Sequence, residues 1–132
     1  LSPVREAMQV VQTPFPEYER LDNGAASDTP LIWIRGSGQS LYGDYMGGDI
    51  AETVIRTDRP ELPNALIFGD SFTNPVECLA YYSFNELRSV DLRHYTVQSL
   101  SDYIAAYQPD VVLCVRDYQS LLLREFNGDF FS

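Results

Sequence analysis

The chain has 132 residues and a mass of 15.0 kDa, the size of one ordinary domain. With 45% hydrophobic and 21% charged residues it has the composition of a globular protein rather than a disordered or fibrous one. Nine basic against nineteen acidic side chains leave a net charge of -10, which argues against nucleic acid and anionic membrane surfaces as partners.

All the basic residues are Arg, so no lysine is present for a Schiff base or a phosphate loop. No apolar run approaches the ~18 residues needed to cross a bilayer, so this segment is not expected to insert into a membrane. The chain opens Leu1-Ser2-Pro3, without an initiator Met, and reads as a piece of a longer polypeptide.

In chain order, Val4 to Val11 suits one short helix before Pro14. Leu31-Ile32-Trp33-Ile34 reads as a buried strand ended by Gly36-Ser37-Gly38, and Glu52 to Thr57 as another. Frequent Pro and Gly make residues 1–63 an irregular segment with one or two short strands, packing on a core formed by residues 64–132.

The pattern becomes regular after Pro63. Ala65-Leu66-Ile67-Phe68, closed by Gly69-Asp70-Ser71, predicts a strand buried on both faces. Asn74 and Pro75, with Glu77 at the capping-box position, predict a helix start. Val76, Leu79, Ala80, Phe84 and Leu87 would form its buried face. Ser89-Val90-Asp91-Leu92 reads as a second strand, and Ser99 with Asp102 starts a second helix. Leu100, Tyr103, Ile104 and Tyr107 form the inner stripe of that helix. Pro109 ends it, and Val111-Val112-Leu113-Cys114-Val115 is a third buried strand. The order strand–helix–strand–helix–strand predicts an α/β fold: a small doubly wound parallel sheet, flavodoxin-like in outline, with an irregular N-terminal half. One or two strands from the first half, or from missing sequence upstream, are expected to extend it. Cys78 and Cys114 both fall in apolar patterns and read as free, buried thiols.

Ligands of an open parallel sheet sit beyond the carboxyl ends of its strands. Gly69-Asp70-Ser71, Arg93-His94 and Arg116-Asp117 fall there. Ser71 is the sharpest candidate, a nucleophile if a general base reaches it and a turn-capping serine if none does. Asp70 either accepts backbone N–H bonds or holds a cation, and the first account suffices. Asn74 could donate to an oxyanion, but helix capping explains it. Arg93 and Arg116 suit a carboxylate or sulfate on a substrate; pairing with Asp91 or Asp117 is the plainer account. His94 is the sole histidine, either a substitute base or a strand-end surface residue, with no orienting carboxylate evident in register. One histidine with scattered carboxylates makes no zinc site, and no metal is expected. No Gly-x-Gly-x-x-Gly joins a strand to a helix, so no dinucleotide or other cofactor is expected. The nine tyrosines and Trp33 suit a sugar-stacking surface, or simply core and rim.

The run Ala65 to Phe72 resembles the first sequence block of the SGNH (GDSL-type) hydrolases. Tyr45-Met46-Gly47-Gly48-Asp49, Thr53-Val54-Ile55, Val90 to Arg93 and Pro109 to Leu113 narrow the resemblance to the DHHW-motif branch, related to alginate O-acetyltransferases. It covers roughly residues 42–123. The resemblance implies an SGNH-like fold and acyl transfer or ester hydrolysis on a carbohydrate or small acyl ester, outside the cytoplasm. Ser71 would be the nucleophile and its N–H an oxyanion donor, with Gly69, Asp70 and Asn74 supporting the loop. Such relatives place an Asp-x-His pair upstream of the serine. No such pair occurs here, and no Asp-x-x-His follows Leu113. The expectation is therefore a serine-bearing C-terminal portion, inert without a missing upstream segment of the same protein. The alternatives are a non-catalytic carbohydrate- or protein-binding module, and a flavodoxin-like receiver or nucleotide module; the latter is weakened by the lack of an acidic pair and a phosphate-type glycine loop.

Overall fold

The computed structural model describes residues 15–33, 42–122 and 130–131. The expected Val4–Val11 helix, Ile34 and the Gly36-Ser37-Gly38 stop lie outside them.

The first elements are β1 (Glu19–Asp22) and β2 (Ala25–Ala26), joined by Asn23-Gly24. Both linking residues have left-handed φ values, 51° and 81°, which is the geometry of a two-residue hairpin turn. β3 (Glu52–Arg56) pairs antiparallel with β1. The connection from Thr57 to Asn64 is shorter than the roughly dozen residues a parallel crossover needs. The chain therefore reverses into β4 (Ala65–Gly69), leaving a gap beside β3 that β5 (Glu86–Asp91) later fills. β6 (Val111–Val115) takes the other side of β4. The order is β2-β1-β3-β5-β4-β6, an open sheet of six strands. It is parallel across β5-β4-β6 and antiparallel across β2-β1-β3-β5, so it is mixed rather than wholly parallel. Among the described residues the first half supplies three strands, β1, β2 and β3, instead of one or two.

Two crossover helices take opposite faces, as a doubly wound core requires. Ala65 and Ile67 of β4 point toward α1 (Asn74–Ala80) and pack with Ile55, Leu87, Cys78, Tyr81, Met46 and Leu31. Leu66 points to the other face and packs with Val90, Leu92, Leu100 and Tyr103, the last two on α2 (Leu100–Tyr107). Ala65, Leu66 and Ile67 are fully buried, as the apolar run predicted. A short α3 (Tyr118–Leu122) follows β6. Among the described residues, no helix is long and apolar enough to cross a membrane.

Several local expectations change. Of the expected Leu31–Ile34 strand, the described residues Leu31 to Trp33 form an isolated bridge, Ile32 to Tyr45, with Leu31 buried and Trp33 exposed. Helix α1 stops at Ala80 and tightens into a 3-10 turn at Tyr81–Ser83, so Leu87 belongs to β5 and Leu79 faces solvent. β5 starts earlier than Ser89, and Leu92 lies in the turn after it. Cys78 and Cys114 are unbridged, but only Cys78 is buried; Cys114 is exposed because β6 is an edge strand.

Candidate active site

β4 and β5 end side by side, with Gly69 opposite Asp91, and the strand order reverses at β4, the switch point where open α/β sheets place their crevice at the carboxyl ends of the strands. Gly69 is required there for space. A Cβ at that position would meet the Val115 carbonyl oxygen at 1.8 Å.

The chain turns at Ser71–Thr73 in a single 3-10 turn before entering α1. Asp70 builds this turn. Its Oδ1 accepts from the Phe72 N–H at 3.0 Å and its Oδ2 from the Asp117 N–H at 2.9 Å, so one carboxylate ties the turn to the exit of β6. The Thr73 N–H donates to the Asp70 carbonyl at 2.9 Å. The Phe72 and Thr73 N–H groups are thus both committed to Asp70. Ser71 is half-buried, and no side chain among the described residues hydrogen-bonds its hydroxyl. The Tyr42 hydroxyl donates to the Ser71 carbonyl. Burial, then the charges of Asp49 and Asp70, raise the Tyr42 pKa, so the phenol keeps its proton for that bond.

Asn74 does not cap the helix through its side chain. Thr73 occupies the cap position, and Asn74 is the first helical residue. Its Nδ2 reaches instead across to Asp49 Oδ1 at 3.1 Å and the Gly48 carbonyl at 3.4 Å. Asp49 sits on a tight turn whose residues Met46, Gly47 and Gly48 all have positive φ. Arg20, buried, fixes that turn through the Met46 carbonyl at 2.6 Å.

Arg93 joins the two sides of the crevice. It bonds Asp91 Oδ2 at 2.5 Å and Asp49 Oδ2 at 2.8 Å, and the hydrogen bonds to Asp91 raise its pKa further. His94 is exposed on the same turn and donates its backbone N–H to the Asp91 carbonyl. Its ring lies close to the Asp49 and Asp91 carboxylates, all three ligand atoms falling within 4.8 Å of one another. Carboxylates therefore do stand beside His94, contrary to the expectation from sequence. The Arg93 guanidinium already bonds both of them, which compensates their charge without a cation. Arg116 does not pair with Asp117. Its Nε and Nη2 are buried and have no hydrogen-bond partner among the described residues.

Beneath the crevice lies Glu77, buried on α1. Its Oε1 accepts from the Ser89 hydroxyl at 2.5 Å. Burial lifts its pKa above the usual carboxylate range, against hydrogen bonds from the Ser89 and Thr73 hydroxyls.

The structure thus brings Gly69, Asp70, Ser71, Asn74, Arg93 and His94 to one end of the sheet. Tyr42, Asp49, Asp91 and Glu77 join them; of these, Asp91 was expected as the partner of Arg93 and pairs with it, and Glu77 was expected only as a capping-box residue. Asp49 had a signal of its own in the Gly47-Gly48-Asp49 turn.

No family model and no curated protein matches the chain. Solved structures do. A DHHW family protein from Eubacterium siraeum matches with a TM-score of 0.70 and 22% identity, over 90% of this chain and 43% of its own. Bacillus cereus PatB1 carrying a sulfonyl adduct matches with a TM-score of 0.67 and 23% identity, over 87% of this chain and 40% of its own. A second structure of PatB1 matches with a TM-score of 0.64 and 24% identity, over 89% of this chain and 39% of its own. The chain spans about two fifths of the length of these structures, and it shares their α/β fold.

Proposed function

We propose that this chain is the serine-bearing portion of an SGNH-like carbohydrate O-acyltransferase or esterase acting outside the cytoplasm, with Ser71 as its nucleophile. The observation that carries this reading is the placement of Ser71. It emerges from a central strand at the switch point, on a turn immobilised by Asp70, with its hydroxyl bonded to no described side chain. Attack by Ser71 Oγ on an acyl carbonyl would form a tetrahedral oxyanion, received by the Ser71 N–H. Loss of the alcohol would leave an acyl-serine, which passes its acyl group to a sugar hydroxyl or to water.

A serine hydroxyl needs a base for both steps. His94 makes no hydrogen bond to it and stands among Asp49, Asp91 and Arg93, so the base is assigned to a part of the polypeptide outside these residues, and the chain alone is inert. The likeness in fold to a DHHW family protein, and to PatB1 with its sulfonyl adduct, supports the reading, because sulfonyl groups are captured by activated nucleophiles.

The test uses the longer polypeptide in which this chain occurs. Ser71→Ala is expected to lower acetyl transfer to a sugar, or hydrolysis of a small aryl ester, by about three orders of magnitude or more while the thermal midpoint holds. Undiminished turnover rules Ser71 out. Sugar binding with no turnover, before and after the substitution, favours a non-catalytic carbohydrate-binding module, the reading to which the unaccompanied hydroxyl of Ser71 otherwise points.

A further inference from the structure

The peptide group that follows Ser71 is held mostly by its own turn. Its carbonyl accepts from the Asn74 N–H, and its N–H, that of Phe72, donates to Asp70 Oδ1 at 3.0 Å. These partners are near neighbours in the chain and move with the turn. A carbonyl oxygen has two lone pairs, and at an exposed turn the second is ordinarily left to water. Here the Tyr42 hydroxyl takes it, from 29 residues earlier in the chain.

Hydrophobic burial does not account for the position of Tyr42, whose side chain is 48% exposed. The segment that carries it is nevertheless anchored. Tyr42 opens a 3-10 turn, Tyr42–Asp44, and its ring meets that of Tyr45 edge-on with centroids 6.1 Å apart. The Trp33 N–H donates to the Asp44 carbonyl and the Met46 N–H to the Leu31 carbonyl, both at 2.8 Å. Farther along, Asp49 is held by Asn74 and Arg93. A phenol on an anchored segment therefore ends on the backbone of the candidate nucleophile.

We infer that Tyr42 is a positioning residue for the reaction at Ser71: its hydroxyl fixes the Ser71–Phe72 peptide group and, with it, the direction in which Ser71 presents its Oγ. This rests on Ser71 being the nucleophile. Attack needs the reacting atoms aligned, and a misplacement of about 1 Å can cost about 100-fold in rate. Asp70 moors the turn to the exit of β6 through the Asp117 N–H. Tyr42 moors the Ser71 peptide itself to the first half of the chain.

The test again uses the longer polypeptide. Tyr42→Phe keeps the ring and removes the donor. It is expected to lower kcat for a small aryl ester roughly 10- to 100-fold, with KM changed less than about twofold and the thermal midpoint held. Capture of an arylsulfonyl fluoride should slow by a similar factor. In that step the Ser71 Oγ–S bond forms, the S–F bond breaks, fluoride leaves and the hydroxyl proton passes to the base. A ring-fluorinated tyrosine at position 42 separates the hydrogen bond from packing, because its phenol ionises at lower pH. The groups facing that phenol are Asp49, Asp70, Glu77 of α1 and Arg93. With its proton on, the fluorinated protein should match the wild type. Once ionised it cannot donate, and its rate should fall to that of Tyr42→Phe at a pH where the wild type is unaffected. Should Tyr42→Phe fail to fold, this comparison carries the test alone. An unchanged kcat in Tyr42→Phe, a rise in KM alone, or an ionised fluorophenol that leaves the rate intact overturns the inference. Ser71→Ala, measured alongside, tells the two proposals apart. Full activity there removes the nucleophile, whereas its inactivity beside a fully active Tyr42→Phe removes the positioning role alone.

Discussion

A single methyl group separates a workable position 69 from an impossible one. Gly69→Ala would set a Cβ against the Val115 carbonyl, so β4 and β6 must part where Ser71 emerges. The expected cost is about 3 kcal/mol in urea unfolding, and an unchanged midpoint would show that the strands do not approach so closely. Glu77 offers a second test, through pH. Its carboxyl titrates higher in the fold than in the open chain, so the charged form is penalised at neutral pH and that penalty fades as pH falls through the raised value. Glu77→Gln keeps an oxygen for the Ser89 hydroxyl and removes the charge. The variant is expected to be the more stable protein at pH 7 to 8, with the gap closing as the pH falls through the raised value toward the ordinary carboxylate range. A gap that widens on acidification would contradict the burial of an ionisable Glu77. Of these details, the backbone-binding role of Asp70 was legible because short acidic side chains in turns bond locally. The reach of Asn74 to Asp49 was not, since it depends on a contact across 25 residues of chain.

Among the elements, the legible ones were those whose cause is local. Ser99 caps α2 by accepting from the Asp102 N–H, and Gln108 closes the helix in a left-handed conformation just before Pro109, as the spacing indicated. The hairpin at Asn23-Gly24 was equally legible from that pair, a strong turn signal, yet it passed unread because β2 is too short to show alternation. Helix α1 ended early for a reason outside its own sequence: Leu87 is claimed by β5, where it pairs opposite Ile55 and Ala65. Arg20 on β1 shows how one buried side chain organises segments that have no regular structure. It donates to the carbonyls of Thr29, Pro30 and Met46 and pairs with Asp22 at 2.9 Å. Arg20→Met preserves much of the volume but leaves those acceptors unsatisfied. The expected loss is about 3 kcal/mol, with heteronuclear spectra showing the change concentrated at residues 29–31 and 45–49. A substitution as mild as a surface change would mean the turn bearing Asp49 holds itself.

At the level of the whole molecule, the α/β architecture followed from apolar runs and their spacing, whereas the mixed direction of the sheet followed from a connection too short for a crossover. The crevice was predictable as a place, because strand ends converge there in any such sheet. Its occupants from the first half were not, since the turn at residues 46–49 reaches it only through tertiary packing. The strand order also sets a timetable. β4 is the most deeply buried strand, yet both of its neighbours, β5 and β6, come after it in the chain. During synthesis from the N-terminus, Ala65 to Gly69 must wait until Val115 has been made before its second edge can close. At about 5–20 residues per second that interval lasts on the order of seconds. Throughout it, the future centre of the protein is its stickiest exposed segment.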